Sequence, residues 1–175
     1  MLLPAIFGRT VMLRNIRPEE VTIDYVNWLN DPTINEYLEV RHTKVTLDTQ
    51  MVFIDHINNS ADTYIFGIFV EGNHMVGTTK LGPIDSNSRT GDIGILIGDS
   101  RYWQKGLATE VIQILCEAIQ STHLLWKVTA GAAESNIGSI RAFENNGFTS
   151  EEIQLGSGID KNGNPIRNVI LSKIL

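Results

Sequence analysis

Between Thr10 and Ile16 the side chains alternate, with Val11, Leu13 and Asn15 set against Met12, Arg14 and Ile16, which is the period of a β-strand. Pro18-Glu19-Glu20 then predicts a helix start, with proline near the first turn and acids at the positive end of the dipole. That helix carries Val21, Tyr25, Trp28 and Leu29 and ends at Asn30-Asp31-Pro32. Met51, Ile54 and His56-Ile57 recur at helical spacing and predict a second helix over Leu47–Ile57. After it the period changes. Tyr64–Val70 and Met75–Leu81 read as strands joined by the turn Glu71-Gly72-Asn73-His74, and Gly91–Ile97 (GDIGILI) follows as a third. A helix over Leu107–Ser121, a strand near Val128–Ala132, a helix over Asn136–Asn145 and strands around Phe148–Leu155 and Asn168–Ile174 complete the chain. The order β-α-α-β-β-β-α-β-α-β-β predicts an α+β (mixed α/β) fold, with a largely antiparallel mixed sheet of about seven strands and helices on both faces.

The 175 residues form one domain by length, and 42% hydrophobic with 19% charged residues is the composition of a globular core, not of disorder or a coiled coil. Fourteen Lys and Arg against 20 Asp and Glu leave a net charge of -6, which opposes nucleic acid and mildly favours amine-bearing partners. One cysteine, Cys116, allows no internal disulfide, and so few Cys and His offer no zinc set, so no metal is expected. The amino terminus, MLLPAIFGRT, lacks a basic n-region, and no apolar stretch reaches the ~18 residues of a membrane span. The expectation is a cytoplasmic protein with no membrane partner.

The segment from Asp92 to Glu110 carries the chemistry. A buried strand runs into Gln104-Lys105-Gly106, and an amphipathic helix with Val111, Leu115, Ala118 and Ile119 on its apolar face begins at once. Unpaired N–H groups at a helix start, with Gly106 and Ala108 too small to obstruct, suit an anion such as pyrophosphate, and Lys105 adds charge. The same residues also suit an ordinary strand-turn-helix in which Gly106 only shapes the turn. The spacing is neither a Walker loop nor a dinucleotide fingerprint. Farther on, Asn136 is a good helix cap and Gly147 a good helix stop, which needs no ligand at all.

Trp103-Gln104-Lys105-Gly106-Leu107-Ala108 opening a helix, followed by Asn136-x-x-Ser139-x-x-x-Phe143-Glu144-x-x-Gly147-Phe148, resembles the GNAT superfamily of acetyl-CoA-dependent N-acetyltransferases. Tyr102-Trp103-x-Lys105-Gly106-x-Ala108-Thr109-Glu110 is similar to its ribosomal-protein N-terminal acetyltransferase-like branch. The likeness spans nearly the whole chain. It implies acetyl-CoA as co-substrate, with pyrophosphate on the amides of Gln104, Lys105, Gly106, Leu107 and Ala108. Trp103 stands where the family usually has Gln or Arg, which implies that main-chain amides hold the phosphate. The pantetheine arm would lie along Ile95, Leu96 and Ile97, and Asn136, Ser139 and Phe143 match positions near the cofactor. A homodimer is common among such proteins.

An ammonium group must lose a proton before it can attack a thioester, and the oxyanion that forms needs a preorganised N–H. Asp92 matches a carboxylate that often serves as base, and a structural ion pair is its other reading. The family's usual acid, a Tyr, is replaced by Phe143. Tyr102 or water could substitute, or the thiolate, with a thiol pKa of ~8.5, could leave unaided. Cys116, in mid-helix, is read as core. On the acceptor side, Trp28 and Tyr37, Glu39, Arg41 and His42 resemble GNAT members that acetylate amino sugars on nucleotide carriers. Core packing for Trp28 and Tyr37 and a surface pair for Glu39 and Arg41 is the alternative. The readings to separate are a small-amine acetyltransferase, a protein N-terminal acetyltransferase and a non-catalytic acyl-CoA-binding domain.

Overall fold

A computed structural model describes residues 4–159 and 165–175, so Met1–Leu3 of the amino-terminal run lie outside the described residues. Its strands are β1 (Ile6–Phe7), β2 (Met12–Asn15), β3 (Tyr64–Val70), β4 (His74–Asp85), β5 (Thr90–Ile97), β6 (Lys127–Ala133), β7 (Thr149–Ile159) and β8 (Pro165–Ile174). The α-helices are α1 (Ile23–Asn30), α2 (Leu47–Asn58), α3 (Leu107–Thr122) and α4 (Ile137–Glu144). All eight strands form one sheet in the order β1-β2-β3-β4-β5-β6-β8-β7. Every neighbouring pair is antiparallel except β5 and β6, which run parallel.

Strand alternation sends side chains to two cores. On one face Ile93, Ile95 and Ile97 of β5 and Val128, Ala130 and Ala132 of β6 pack with Val111, Ile112 and Leu115 of α3 and Ala142 and Phe143 of α4. On the other, Leu96 of β5 and Ile65 of β3 meet Tyr25, Val26 and Leu29 of α1 and Ile54 of α2. Asp92, Gly94 and Leu96 share this second face by the same alternation.

The parallel ladder is short. Thr90, Gly91 and Asp92 pair with Lys127, Val128 and Thr129, and there it ends. Beyond that point β5 stays with β4 as far as Ile97 opposite Gly77. β6 stays with β8 as far as Ala133 opposite Asn168. The sheet therefore opens between β5 and β6, and the turn leading to α3 follows the open end of β5.

The structure departs from the sequence reading at three places. Pro18–Glu20 is a 3-10 turn, closed by the Glu20 carboxylate accepting from the Arg17 N–H at 3.0 Å. Val21 and Thr22 then return to extended backbone, and α1 begins at Ile23, where the Thr22 hydroxyl accepts from the Tyr25 N–H at 3.2 Å. A two-residue strand, β1, adds an eighth strand at the edge. β4 continues to Asp85 through a register shift between Leu81 and Ile84, a bulge that lets the strand run on past its apolar stretch.

Trp28 of α1 lies directly on Gly98, just past β5, so that a Cβ there would overlap the indole. Gly98→Ala is expected to lower stability by about 1–3 kcal/mol through overpacking. Urea unfolding checks this, and an unchanged midpoint would contradict it.

Candidate functional site

The turn after β5 is held by side chains whose role the sequence reading missed. Asp99 accepts from the Arg101 N–H at 3.0 Å and from Arg101 Nη2 at 2.7 Å, and its Oδ2 lies 3.2 Å from His74 Nε2. The Arg101 guanidinium, helped by His74, holds this buried carboxyl well below the usual carboxylate range. The Trp103 indole N–H donates to the Ile97 carbonyl at 2.7 Å, binding the turn to the end of β5. The Asn146 amide donates to the carbonyls of Thr109 and Ala142, at 3.0 and 2.8 Å, and ties the first turn of α3 to α4. An Asp one residue after a strand's glycine and an Asn before a helix-stop Gly were the available signals.

Gln104 (φ 59°) and Gly106 (φ 76°) are both left-handed, which turns the chain sharply into α3. Among the described residues no backbone carbonyl accepts from the N–H of Gln104, Lys105 or Gly106, and no side chain caps α3. A Cβ at Gly106 would meet no atom within 4 Å. This is an exposed cradle of N–H donors at the positive end of a 16-residue helix, and it suits a pyrophosphate. Lys105 Nζ lies 5.6 Å from the Tyr102 ring centroid. Leu107 is buried and Ala108 half-buried at the start of α3. Ile95, Leu96 and Ile97 lie on the stretch of β5 that β6 no longer pairs, where an extended amide chain could bond. The donors and the open edge fit acetyl-CoA.

Asp92 sits at the closed end of the split. Its Oδ1 accepts from the Thr129 hydroxyl at 2.9 Å. Burial raises its pKa above the usual value, opposed by the Thr129 bond and by the Lys80 charge. A partly desolvated carboxylate beside an opening is suited to taking a proton.

The remaining predicted positions divide. Asn136 caps α4, its Oδ1 accepting from the Ser139 N–H at 3.2 Å, so the cap assigned from sequence is present. Phe143 is 1% exposed and meets Phe148 edge-to-face at 5.0 Å, which makes it a core residue with no surface for a ligand in this structure. Tyr102 lies beside His74, 6.3 Å between ring centroids. Cys116 is 3% exposed with its thiol pushed up to about 11 by burial, the environment of an inert core thiol. Tyr37, Glu39 and Arg41 come together in a cleft of about 50 Å³ with Ala133, Gly156, Ile166 and Asn168. Arg41 Nη1 donates to the Leu38 carbonyl at 2.9 Å. Trp28 is apart from them, over Gly98, and His42 is exposed and does not line the cleft. Among the described residues no group of His, Cys, Asp and Glu could hold a metal, and no helix is long and apolar enough to cross a membrane.

The family described as "Acetyltransferase (GNAT) domain" matches residues 10–149. An uncharacterized N-acetyltransferase, p20, from Bacillus licheniformis is 24% identical over 149 residues, 83% of each chain. Among solved structures, the ribosomal L7/L12 alpha-N-protein acetyltransferase RimL in complex with coenzyme A superposes with a TM-score of 0.84 at 15% identity, covering 100% of this chain and 98% of that one. The microcin C7 self-immunity acetyltransferase MccE, in complex with acetyl-CoA and AMP, gives 0.82 at 19% identity, with 96% and 94% covered. These likenesses establish the fold.

Because its native pKa is raised, the Asp92 carboxyl contributes stability that is complete below its unfolded value of 3.8 and is lost as pH rises through the native value. Asp92→Asn is therefore expected to gain stability over the wild type as pH increases, with the gap closing in acid. Thermal midpoints of the ligand-free proteins across pH 4–8 check this, and a gap independent of pH would contradict it.

Proposed function

The chain belongs to the GNAT acetyltransferases and is an acetyl-CoA-dependent N-acetyltransferase; on that premise we propose that it acts on a small primary amine bearing a remote polar or anionic group, with a nucleotide-linked amino sugar as the leading class. The observation that carries this reading is the gathering of Tyr37 and Arg41, with Asn168, at the end of β6. By alternation Ala133 shares the sheet face of Thr129, four positions farther along the strand, about 13 Å away. That span suits an acceptor whose recognised group is well removed from its amine. An aromatic ring and a guanidinium are the side chains that stack on a base or pair with phosphate. MccE, with the same fold, is seen in complex with acetyl-CoA and AMP.

Acetyl-CoA supplies an activated acyl group as a thioester. Asp92, directly or through water, takes the proton that the acceptor's ammonium must shed, and the Thr129 hydroxyl keeps its carboxylate oriented. The amide cradle from Gln104 to Ala108 and the unpaired edge of β5 hold the donor still, which converts the encounter of two substrates into a positioned one. In the reaction the C–N bond forms, the C–S bond breaks, and the sulfur leaves as thiolate to be protonated by solvent. As an acyltransferase, the protein is an enzyme and not merely an acyl-CoA-binding domain. The cytoplasm is the compartment this reading implies.

Release of free thiol with a panel of amines tests the acceptor. A nucleotide-linked amino sugar is expected to be used better than an amino-terminal peptide or a free polyamine, and preference for the peptide would overturn this reading. Arg41→Ala is expected to raise KM for that acceptor about 10–100-fold, the loss of one charge-assisted bond. KM for acetyl-CoA should not change. Asp92→Asn is expected to lower kcat by about 100-fold or more.

A further inference from the structure

Lys80 stands on β4 between Ile65 of β3 and Gly94 of β5. Residues that face each other across antiparallel strands send their side chains to the same side of the sheet. Ile65 packs in the core with α1 and α2, so Lys80 belongs to the face that carries Asp92. Gly94 contributes no side chain there, and a Cβ built on it would lie 4.0 Å from the Lys80 Cβ. Lys80 and Asp92 are thus diagonal neighbours across two strands, with no side chain at the corner between them. A diagonal of about 7–8 Å is within reach of a lysine stem.

Lys80 is half-buried, yet among the described residues it forms no ion pair and donates no hydrogen bond. Its charge is left to act on Asp92. The other polar groups on this side are matched or uncharged. Thr129 of β6 donates its hydroxyl to Asp92 Oδ1 at 2.9 Å, and Lys127, two residues earlier on β6, is paired with Glu151 at 2.7 Å. From α1 the Tyr25 hydroxyl bonds to Thr78 and Gln50, and burial pushes its pKa up, so it stays neutral. α2 buries Gln50 and Ile54, neither of them charged.

We propose that Lys80 is a positioning residue for the reaction: its ammonium, diagonal to Asp92 across the bare Gly94, keeps the candidate base in the carboxylate form that proton transfer needs. This inference rests on the acetyltransferase reading above. Burial opposes a charge on Asp92, and Thr129 supplies one hydrogen bond to offset it. A cation held outside ion-pair contact stabilises the carboxylate without engaging the oxygen that must take the proton. A closer pair would occupy that oxygen.

The test follows Asp92 itself, and then the reaction, in the wild type, Lys80→Met and Lys80→Arg. Carboxyl-carbon NMR titration of the ligand-free proteins reads Asp92 directly, its signal assigned by its loss in Asp92→Asn. Asp92 is expected to titrate at higher pH in Lys80→Met and near the wild-type position in Lys80→Arg. Thiol release with the amine that the wild type uses best is followed from pH 5 to 9. Relative to the wild type, Lys80→Met is expected to lose about tenfold more in kcat/KM at pH 5 than at pH 9, and Lys80→Arg to restore most of it. A merely structural role for Lys80 would lower activity equally at every pH. That uniform loss, or a carboxyl titration unmoved in Lys80→Met, would overturn the proposal. A wild type inactive with every amine would sink the acetyltransferase reading, while the carboxyl titration would still decide whether Lys80 governs Asp92.

Discussion

Among the described residues β5 and β6 are the only parallel neighbours in the sheet, and they share three ladder positions before each strand continues with a different partner. That early parting positions everything at the candidate site. It leaves backbone groups on β5 without a strand to satisfy them, in a part of the molecule where two cores press from both sides. Unpaired polar groups in such surroundings are costly unless a ligand or water completes them. An extended amide-bearing arm is a natural complement. The same parting leaves Asp92 half-buried, with its proton affinity raised and its orientation fixed by Thr129.

The turn at the open end is stabilised independently of any ligand. Asp99, Arg101 and His74 brace its first half, and the Trp103 indole fastens its middle to Ile97. Two left-handed residues then present a run of N–H donors at the uncapped start of α3. The candidate donor site is thus preorganised, and preorganisation lowers the entropic cost of binding. The bond between Trp103 and Ile97 also ties the N–H cradle to the strand edge, so the two halves of the candidate donor site hold a common spacing.

Much of this arrangement was legible in the chain. The strand-turn-helix from Asp92 to Glu110 is a contiguous motif, so its apolar period and its Gln104-Lys105-Gly106 turn could be read locally. Its resemblance to the GNAT family extended the reading to the fold and to the donor. What could not be read depends on distant pairing. Nothing in GDIGILI says that pairing with β6 stops at Asp92, because the partner lies 37 residues away. β1 is too short to show a period, and extended backbone at Val21 and Thr22 broke a helix that the acids of Pro18–Glu20 had promised. Phe143 matched a family position by spacing, but its packing on Phe148 puts it in the core. Of the acceptor-side residues, Tyr37, Glu39 and Arg41 converge, whereas Trp28 serves the packing of α1 on Gly98.

The central claim is that the open strand edge and the uncapped helix form one donor site, and thermal unfolding with increasing acetyl-CoA tests it most directly. Saturation to about 100 times the dissociation constant should add roughly 2.7 kcal/mol of stability. For a chain of this size that is a rise in midpoint of about 5–10 °C, with ATP and NAD giving much less. No shift at millimolar acetyl-CoA, or an equal shift with ATP, would contradict the account.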